Sequence, residues 1–184
     1  MLGKAAAIWA ALALPAAATG IEIVVQGEAN GVVKIDLLEE LAPLHAERIA
    51  TLAAEGFYDG VAFHRVIPGF MAQTGDGVNA KIDAYNGRMA GTGGSSYPDL
   101  PAEFSDVTFD RGVVGMARST DPNSANSQFF IMFQPGAFLD GQYTVVGRVS
   151  EGMEVVDAIK SGTRANNGAI TGRPDVMQTV TVTE

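Results

Sequence analysis

The stretch FHRVIPGFMAQTGD, residues 63–76, carries information on both the fold and the chemistry of this 184-residue sequence. It sets Arg65 among apolar residues and contains no obvious nucleophile. Segments rich in strand-forming residues, Val61–Val66 and Phe70–Gln73, predict two short β-strands here. The stretch therefore belongs to a β-rich fold, and its chemistry must use an arginine without a serine, a cysteine or a metal cluster.

Outward from this stretch, short apolar segments separated by turns recur along the chain. The 22 glycines and 8 prolines favour many turns over long helices. We predict further strands at residues 21–25, 32–37, 113–117, 129–133, 143–149 and 179–182. Two helices are predicted, one from Pro43 to about Gly56 and one over Met153–Lys160. A closed barrel capped by helices suits these elements, although pattern alone does not separate a barrel from a sandwich.

Length and charge narrow the function classes. A chain of 184 residues has the size of one ordinary domain with a real core. Twelve Lys and Arg against 21 Asp and Glu give a net charge of −9. This charge argues against electrostatic binding of nucleic acid or of an anionic membrane surface, and a neutral or basic partner is expected.

The first 18 residues follow a different pattern from the rest. Lys4 precedes an apolar run to about Leu14, and Ala16–Ala18 supplies small residues. We predict a secretory signal peptide cleaved after Ala18, because the apolar run is shorter than a membrane span. An uncleaved anchoring helix is the alternative. Residues 19–184 would then form the mature domain, periplasmic or secreted, and with no cysteine it needs no disulfide.

Several catalytic classes lack their sequence signals. His45 and His64 have no partner at a zinc-binding spacing, so no metal and no cofactor are predicted, and His64 is interpreted as a hydrogen-bonded structural residue. Ser127 lies outside any G-x-S-x-G turn, which argues against a hydrolase. The glycine-rich loop between Gly75 and Asp110 lacks the phosphate-binding lysine. A second irregular stretch, residues 161–174, shows no recognisable chemistry.

Five motifs occur together and in order: FHRVIPGFMAQTGD, GTGG, GVVGMARSTDPNSANSQFFIMF, FLDGQYTVVGRV and EGMEVVDAI. With them the sequence resembles the cyclophilins, a family of peptidyl-prolyl cis/trans isomerases, and most of all their bacterial exported members. The resemblance covers Ile21–Glu184. It implies a mainly β fold, a closed eight-stranded antiparallel barrel capped by two α-helices, and we expect a monomer.

The family's reaction explains why no nucleophile is present. Rotation about a peptide bond only breaks amide resonance, with a barrier of about 18–20 kcal/mol. In the twisted amide the prolyl nitrogen regains its lone pair and can accept a hydrogen bond. Arg65 suits this role because a guanidinium stays charged and holds its donors in a rigid fork.

The resemblance also assigns roles to residues of the motifs. Arg65, Phe70 and Gln73 are implied as catalytic. The implied substrate-binding residues are Met71, Gly91, Ala117, Arg118, Ser119, Gln128, Phe130, Phe138, Leu139 and Tyr143. For the apolar residues among them, ordinary core packing is the alternative.

Three positions depart from the eukaryotic members. Phe138 stands where they carry tryptophan, so a donor used by cyclosporin-type ligands is missing and weak cyclosporin binding is expected. Tyr143 replaces a histidine, and Arg118 replaces a shorter polar residue, which favours acidic residues in substrates. The expected partners are proline-containing unfolded or partly folded polypeptides. A chaperone module that binds such segments without turnover is the competing function.

Overall fold

One curled antiparallel sheet organises residues 19–184, which are the residues that the computed structural model describes. The predicted leader lies outside the described residues. The strands are β1 (Gly20–Gln26), β2 (Gly31–Leu37), β3 (Val61–Ala62), β4 (Arg65–Ile67), β5 (Met71–Thr74), β6 (Val113–Met116), β7 (Phe129–Met132), β8 (Val145–Glu151) and β9 (Val176–Thr183). Their order is β3-β9-β1-β2-β8-β6-β7-β5-β4.

Two α-helices lie against the sheet, as predicted. Helix α1 (Pro43–Ala54) contacts β9, β1 and β8, and buries Ile49 and Leu52 on its inner face. The carboxylate of Glu103 accepts the N–H groups of Leu44 and His45, and so caps the start of α1 from a distant loop. Helix α2 (Met153–Ala158) contacts β2 and ends two residues earlier than predicted. No helix within residues 19–184 is long and apolar enough to cross a membrane.

The mainly β, antiparallel fold is confirmed, but its closure differs from the prediction. The predicted strand Val61–Val66 is two strands, because the N–H of Phe63 donates to Asp175 (2.9 Å) and the carbonyl of His64 accepts from Ile170 (3.3 Å). The sheet thus has nine strands rather than eight, and in the described chain no ladder joins its end strands β3 and β4. These two strands follow each other in the sequence, so the chain itself spans the gap between the two ends of the sheet.

Alternating side chains of the sheet build two separate apolar clusters. Phe129 and Ile131 of β7 point into the main core with α1, whereas Phe130 and Met132 belong to a second cluster on the opposite face. The second cluster also holds Ile67, Met71, Phe109, Val113, Leu139 and Val145. It packs beneath the region to which the motif residues converge.

The edge strand β4 is covered by the irregular loop of residues 162–170. The N–H of Val66 donates to Gly168 (2.8 Å), and the N–H of Gly162 donates to the carbonyl of Val66 (3.0 Å). Gly168 has a φ of 77°, and a Cβ there would lie 2.5 Å from Ile67 Cγ1. This close pairing leaves no exposed ladder edge at β4 and fixes the position of Arg65.

Candidate active site

The first part of the site is an apolar pocket of about 270 Å³. Strand register creates it, because Arg65 lies opposite Gln73, and Gln73 lies opposite Phe130. These three side chains form one row across β4, β5 and β7. The pocket is lined by Arg65, Phe70, Met71, Gln73, Ala117, Arg118, Phe130, Phe138, Leu139 and Tyr143.

Aromatic contacts shape the floor of the apolar pocket. The ring of Phe130 stacks on Phe109, with 5.8 Å between centroids, and meets Tyr143 edge-on at 5.9 Å. Gly115 faces Phe130 in the ladder, and a Cβ there would lie 2.5 Å from the Phe130 ring. The glycine therefore makes room for the stacked rings. The cavity wall is thus a continuation of the packed second cluster.

A directed chain of hydrogen bonds leads away from Arg65. Its Nη1 donates to Gln73 Oε1 (2.9 Å), and Gln73 Nε2 donates to Gln128 Oε1 (3.0 Å). Gln128 Nε2 in turn donates to the carbonyls of Gly91 (3.0 Å) and Gly93 (2.8 Å). Because the last two acceptors are carbonyls, the orientation of both amides is determined.

Asp76 anchors the far end of this chain. The carboxylate is buried and accepts four backbone N–H bonds, from Val78 (3.0 Å), Asn79 (2.8 Å), Gly91 (2.8 Å) and Gly93 (3.0 Å). Burial acts to raise the pKa of Asp76, but these N–H bonds outweigh it and hold the pKa below its usual value. The glycine loop is therefore held in place by a buried anion.

The guanidinium of Arg65 is also held from behind. Its Nε donates to the main-chain oxygen of Asn167 (3.1 Å), and its Nη2 donates to Asn167 Oδ1 (3.0 Å). Burial lowers the pKa of Arg65, but a guanidinium remains protonated at any working pH. No carboxylate within residues 19–184 forms an ion pair with it. Neutral acceptors thus orient this cation and leave its charge intact.

A polar pocket of about 500 Å³ adjoins the apolar pocket. Three glycines and several short polar residues of the loops are among the residues that line it. It is lined by Gln73, Gly91, Thr92, Gly93, Gly94, Ser95, Asp99, Ala117, Arg118, Ser119, Ser124, Asn126, Ser127 and Gln128. The two pockets therefore share Gln73, Ala117 and Arg118.

Arg118 stands between the two pockets. Its guanidinium carbon lies 4.3 Å from the centre of the Tyr143 ring. Its Nε (3.3 Å) and Nη2 (2.9 Å) donate to the carbonyl of Gln142, and its Nη1 donates to the carbonyl of Ser119 (2.9 Å). Arg118 forms no ion pair within residues 19–184, so a second cation faces the same groove as Arg65.

Every residue that the motifs assigned to the site lines one of the two pockets. Their roles in catalysis and binding remain predictions. Asp76 and Asn167 are not among the predicted site residues, and the stretch 161–174, in which the sequence shows no recognisable chemistry, contains the residue that contacts Arg65. Asn167 precedes Gly168, a pair typical of left-handed turns, but this local signal does not identify a partner.

His64 is a buried side chain, but the geometry does not show the hydrogen bonds expected of its ring. Both ring nitrogens are buried and have no hydrogen-bond partner among the described residues. The ring lies under the glycine loop, since a Cβ at Gly91 would be 3.1 Å from His64 Nε2. Burial lowers the pKa of His64, although the charge of Asp76 acts in the opposite direction. The His64 ring therefore packs beneath the glycine loop, where burial favours its neutral form.

Known proteins are similar to this chain in sequence. The family model described as cyclophilin type peptidyl-prolyl cis-trans isomerase/CLD matches residues 21–182. A probable peptidyl-prolyl cis-trans isomerase of Brucella suis is 58% identical over 154 residues, which are 83% of this chain and 78% of that protein. The peptidyl-prolyl cis-trans isomerase-like 1 of Aspergillus fumigatus is 41% identical over 128 residues, 66% of this chain and 71% of that protein.

Solved structures give the same answer. A Cryptosporidium parvum cyclophilin type peptidyl-prolyl cis-trans isomerase, crystallised in the presence of the dipeptide Ala-Pro, superimposes with a TM-score of 0.73 at 25% identity. The match covers 90% of this chain and 99% of that one. The cyclophilin AquaCyp293 from Hirschia baltica gives a TM-score of 0.69 at 26% identity, covering 88% of this chain and 72% of that one.

Proposed function

This chain belongs to the cyclophilin-type peptidyl-prolyl cis-trans isomerases, and from that premise we propose that Arg65 drives the rotation by stabilising the twisted prolyl amide. The substrates are Xaa-Pro bonds in unfolded or partly folded polypeptides, and no covalent intermediate forms. The observation that carries this proposal is the position of Arg65, which lines the apolar pocket and has no carboxylate partner among residues 19–184.

The hydrogen bonds of Arg65 leave donors for a substrate. A guanidinium has five N–H groups. In Arg65, three of them donate to oxygen atoms of Gln73 and Asn167. One N–H on each terminal nitrogen remains, although Nη1 also lies 4.0 Å from Met71 Sδ. A donor aimed at the prolyl nitrogen gains strength only as the amide twists, so it raises the rate and not merely the affinity.

The apolar pocket is the proposed site of the proline ring. Phe70, Met71, Phe130 and Leu139 provide an apolar wall, and burial of the ring stabilises the complex by roughly 25 cal/mol per Å² of apolar surface. The crystallisation of the C. parvum relative in the presence of Ala-Pro supports a proline ligand for this kind of fold. Holding the ring while the preceding residue rotates is the mechanical requirement of the reaction.

The polar pocket is the proposed site of the residues that precede proline. Residues 117–119 follow the end of β6, and their main chain is proposed to run beside an extended substrate. Gln73 Nε2 donates one N–H to Gln128 and has a second for a substrate carbonyl. Main-chain recognition of this kind tolerates many side chains, as an enzyme with varied clients requires.

We further propose an exported enzyme that acts as a monomer on newly translocated proteins. The apolar leader with Lys4 and Ala16–Ala18 supports export. Weak cyclosporin binding is part of the proposal, because the Phe138 side chain has no N–H group and its ring is largely exposed. A proline-segment chaperone without turnover is the second candidate, and the apolar pocket alone would serve it.

The decisive experiment measures cis/trans exchange of an Ala-Ala-Pro-Phe peptide by NMR. Arg65→Ala should lower kcat/KM by about 100-fold or more, the size expected for a lost transition-state donor. Arg148→Ala, at an exposed arginine of β8, is the matched control and should leave the rate unchanged. If Arg65→Ala exchanged the peptide as fast as wild type, the arginine mechanism would be wrong. Peptide binding by wild type without accelerated exchange would favour the chaperone.

A further inference from the structure

The loop of residues 162–170 contributes a second contact to the proposed catalytic arginine. We propose that Asn167 is a positioning residue that aims the Arg65 guanidinium at the substrate. The inference rests on the proposed function, since it requires Arg65 to be the catalytic donor. Asn167 lines neither pocket, so it acts through Arg65 and not on the substrate.

Asn167 supplies two acceptors to one edge of the guanidinium. Its main-chain oxygen takes the Nε proton at 3.1 Å, and its Oδ1 takes an Nη2 proton at 3.0 Å. The other terminal nitrogen, Nη1, donates to Gln73 Oε1 at 2.9 Å. Contacts at Nε, Nη1 and Nη2 together fix the plane of a group that would otherwise sample several rotamers. The remaining N–H groups then keep one direction.

The backbone of Asn167 has an unusual conformation that suits this task. With φ 49° and ψ 33°, it is the one non-glycine residue with positive φ in residues 19–184. Asparagine tolerates the left-handed region better than most residues. Such outliers persist where surrounding structure over-determines them, often beside a functional group. Here the conformation coincides with the bidentate contact to Arg65.

Local hydrogen bonds hold that conformation. The N–H of Asn167 donates to the carbonyl of Arg164 (3.1 Å), and the N–H of Gly168 donates to the carbonyl of Thr163 (2.8 Å). The hydroxyl of Thr163 accepts from the N–H of Asn166 (3.2 Å) and caps the turn. Because the same loop pairs with Val66 of β4, Asn167 and Arg65 belong to one rigid unit.

The test compares two substitutions at this position. Asn167→Gly keeps the main-chain acceptor and the positive φ but removes Oδ1. We expect kcat to fall about three- to tenfold, which is less than for loss of the arginine because the contact is exposed to water. The peptide Kd should stay within about twofold and the Tm within a few degrees. Asn167→Asp keeps an acceptor oxygen and tolerates the same φ, but its carboxylate would form an ion pair with Arg65. Its kcat should therefore recover only in part, to a value between those of Asn167→Gly and wild type.

A double-mutant cycle separates positioning from general structure. In an Arg65→Lys background, which lacks the fork that Asn167 engages, Asn167→Gly should change the residual rate by less than about twofold. An equal loss in both backgrounds would overturn the inference, and so would a full kcat in Asn167→Gly. If Arg65→Ala keeps its activity, the proposed mechanism is wrong instead. If only Asn167→Gly is silent, the mechanism stands and the positioning role is wrong.

Discussion

The two pockets of the groove are built from different materials. Side chains of the paired strands β4, β5 and β7 form the apolar pocket, and their register decides which residues meet. Three glycines, which can offer only main chain, and short polar residues of the loops line much of the polar pocket, and the buried carboxylate of Asp76 holds its glycine loop. A rigid, side-chain-built cavity suits one ring shape, whereas a main-chain-built cavity suits many sequences. We therefore predict strict selectivity for proline and loose selectivity for the residues beside it.

Phe130→Ala should produce the largest effect, because it damages the side-chain-built pocket. Phe130 is buried and stacks on Phe109, so the free energy of unfolding should fall by about 3–5 kcal/mol. Peptide affinity should fall as well, since the wall of the cavity is lost. Urea denaturation measures the first effect and NMR titration the second.

Ser119→Ala is the matched control in the main-chain-built pocket. Ser119 is exposed, and its main-chain carbonyl, which accepts from Arg118, is retained in the variant. We expect both stability and peptide affinity to stay near wild type. If Ser119→Ala weakened binding as much as Phe130→Ala, the contrast between the two pockets would be wrong.

Acid should loosen the floor of the polar pocket before it affects catalysis. The pKa of buried His64 is lowered in the folded state, so below its unfolded value of about 6.5 the unfolded chain binds more protons. The part of the free energy of unfolding that depends on His64 is therefore retained well above pH 6.5. It is lost as the pH drops, by up to about 1.4 kcal/mol at pH 5.5. The value of kcat/KM for the folded enzyme should stay flat from pH 6 to 9, because Arg65 does not titrate there.

Denaturation with urea at pH 7.5 and pH 5.5 measures this loss of stability. His64→Gln should reduce the difference between the two pH values, because glutamine does not titrate. His45 is a second buried histidine. Burial lowers its pKa, although its hydrogen bond to the Glu103 carboxylate acts in the opposite direction, so part of the loss should persist. A His64→Gln protein with the full wild-type difference would assign the effect elsewhere.

The same division shows what the sequence predicted and what it did not. Strands of the side-chain-built pocket follow from apolar runs such as Phe129–Phe133, because local pattern determines them. The break at Phe63 and His64 was missed, since both residues fit a continuous strand and their main-chain groups bond to Asp175 and Ile170 far along the chain. Local pattern carries no information on such distant partners.

The site itself shows a similar limit. Every residue that the motifs assigned to the site lines one of the two pockets. Strand register brings these residues together, in agreement with the family resemblance. Asn167 lies 102 positions from Arg65, and its Asn-Gly pair predicts a turn without naming what the turn contacts. Asp76 ends the stretch of residues 63–76, yet its four N–H partners come from loops without a periodic pattern. The sequence thus predicts which side chains line the site, but it does not predict which main-chain groups hold them in place.

Phe138→Trp should sharpen the rim of the apolar pocket. The Phe138 ring is 64% exposed and packs against Phe70, with 5.4 Å between centroids. An indole there adds an N–H donor without filling the cavity, so cyclosporin affinity should rise about tenfold, the value of one good hydrogen bond. Calorimetric titration measures the gain. Phe138→Tyr, which adds a hydroxyl in another place, is the control, and an equal gain in both variants would contradict the role of the indole N–H.

The smallest effect tests whether the main-chain-built pocket carries any side-chain preference. Arg118 faces the groove with unused N–H groups, and the one acidic residue lining that pocket, Asp99, already accepts from Asn126. A glutamate before proline should therefore be turned over about threefold faster than a glutamine, in the range of an exposed ion pair. The net charge of −9 opposes acidic peptides only at long range, where physiological salt screens it beyond about 8 Å.

Arg118→Gln should remove this glutamate preference, and Arg118→Lys should keep part of it, because lysine retains the charge but not the stacking on Tyr143. The preference should also shrink in 0.5 M salt, since it is electrostatic. NMR exchange of the two peptides, run in competition, measures the ratio directly. A preference that survived Arg118→Gln would have to come from Arg65, the other cation of the groove. The two pockets would then share one determinant of selectivity instead of dividing the substrate between them.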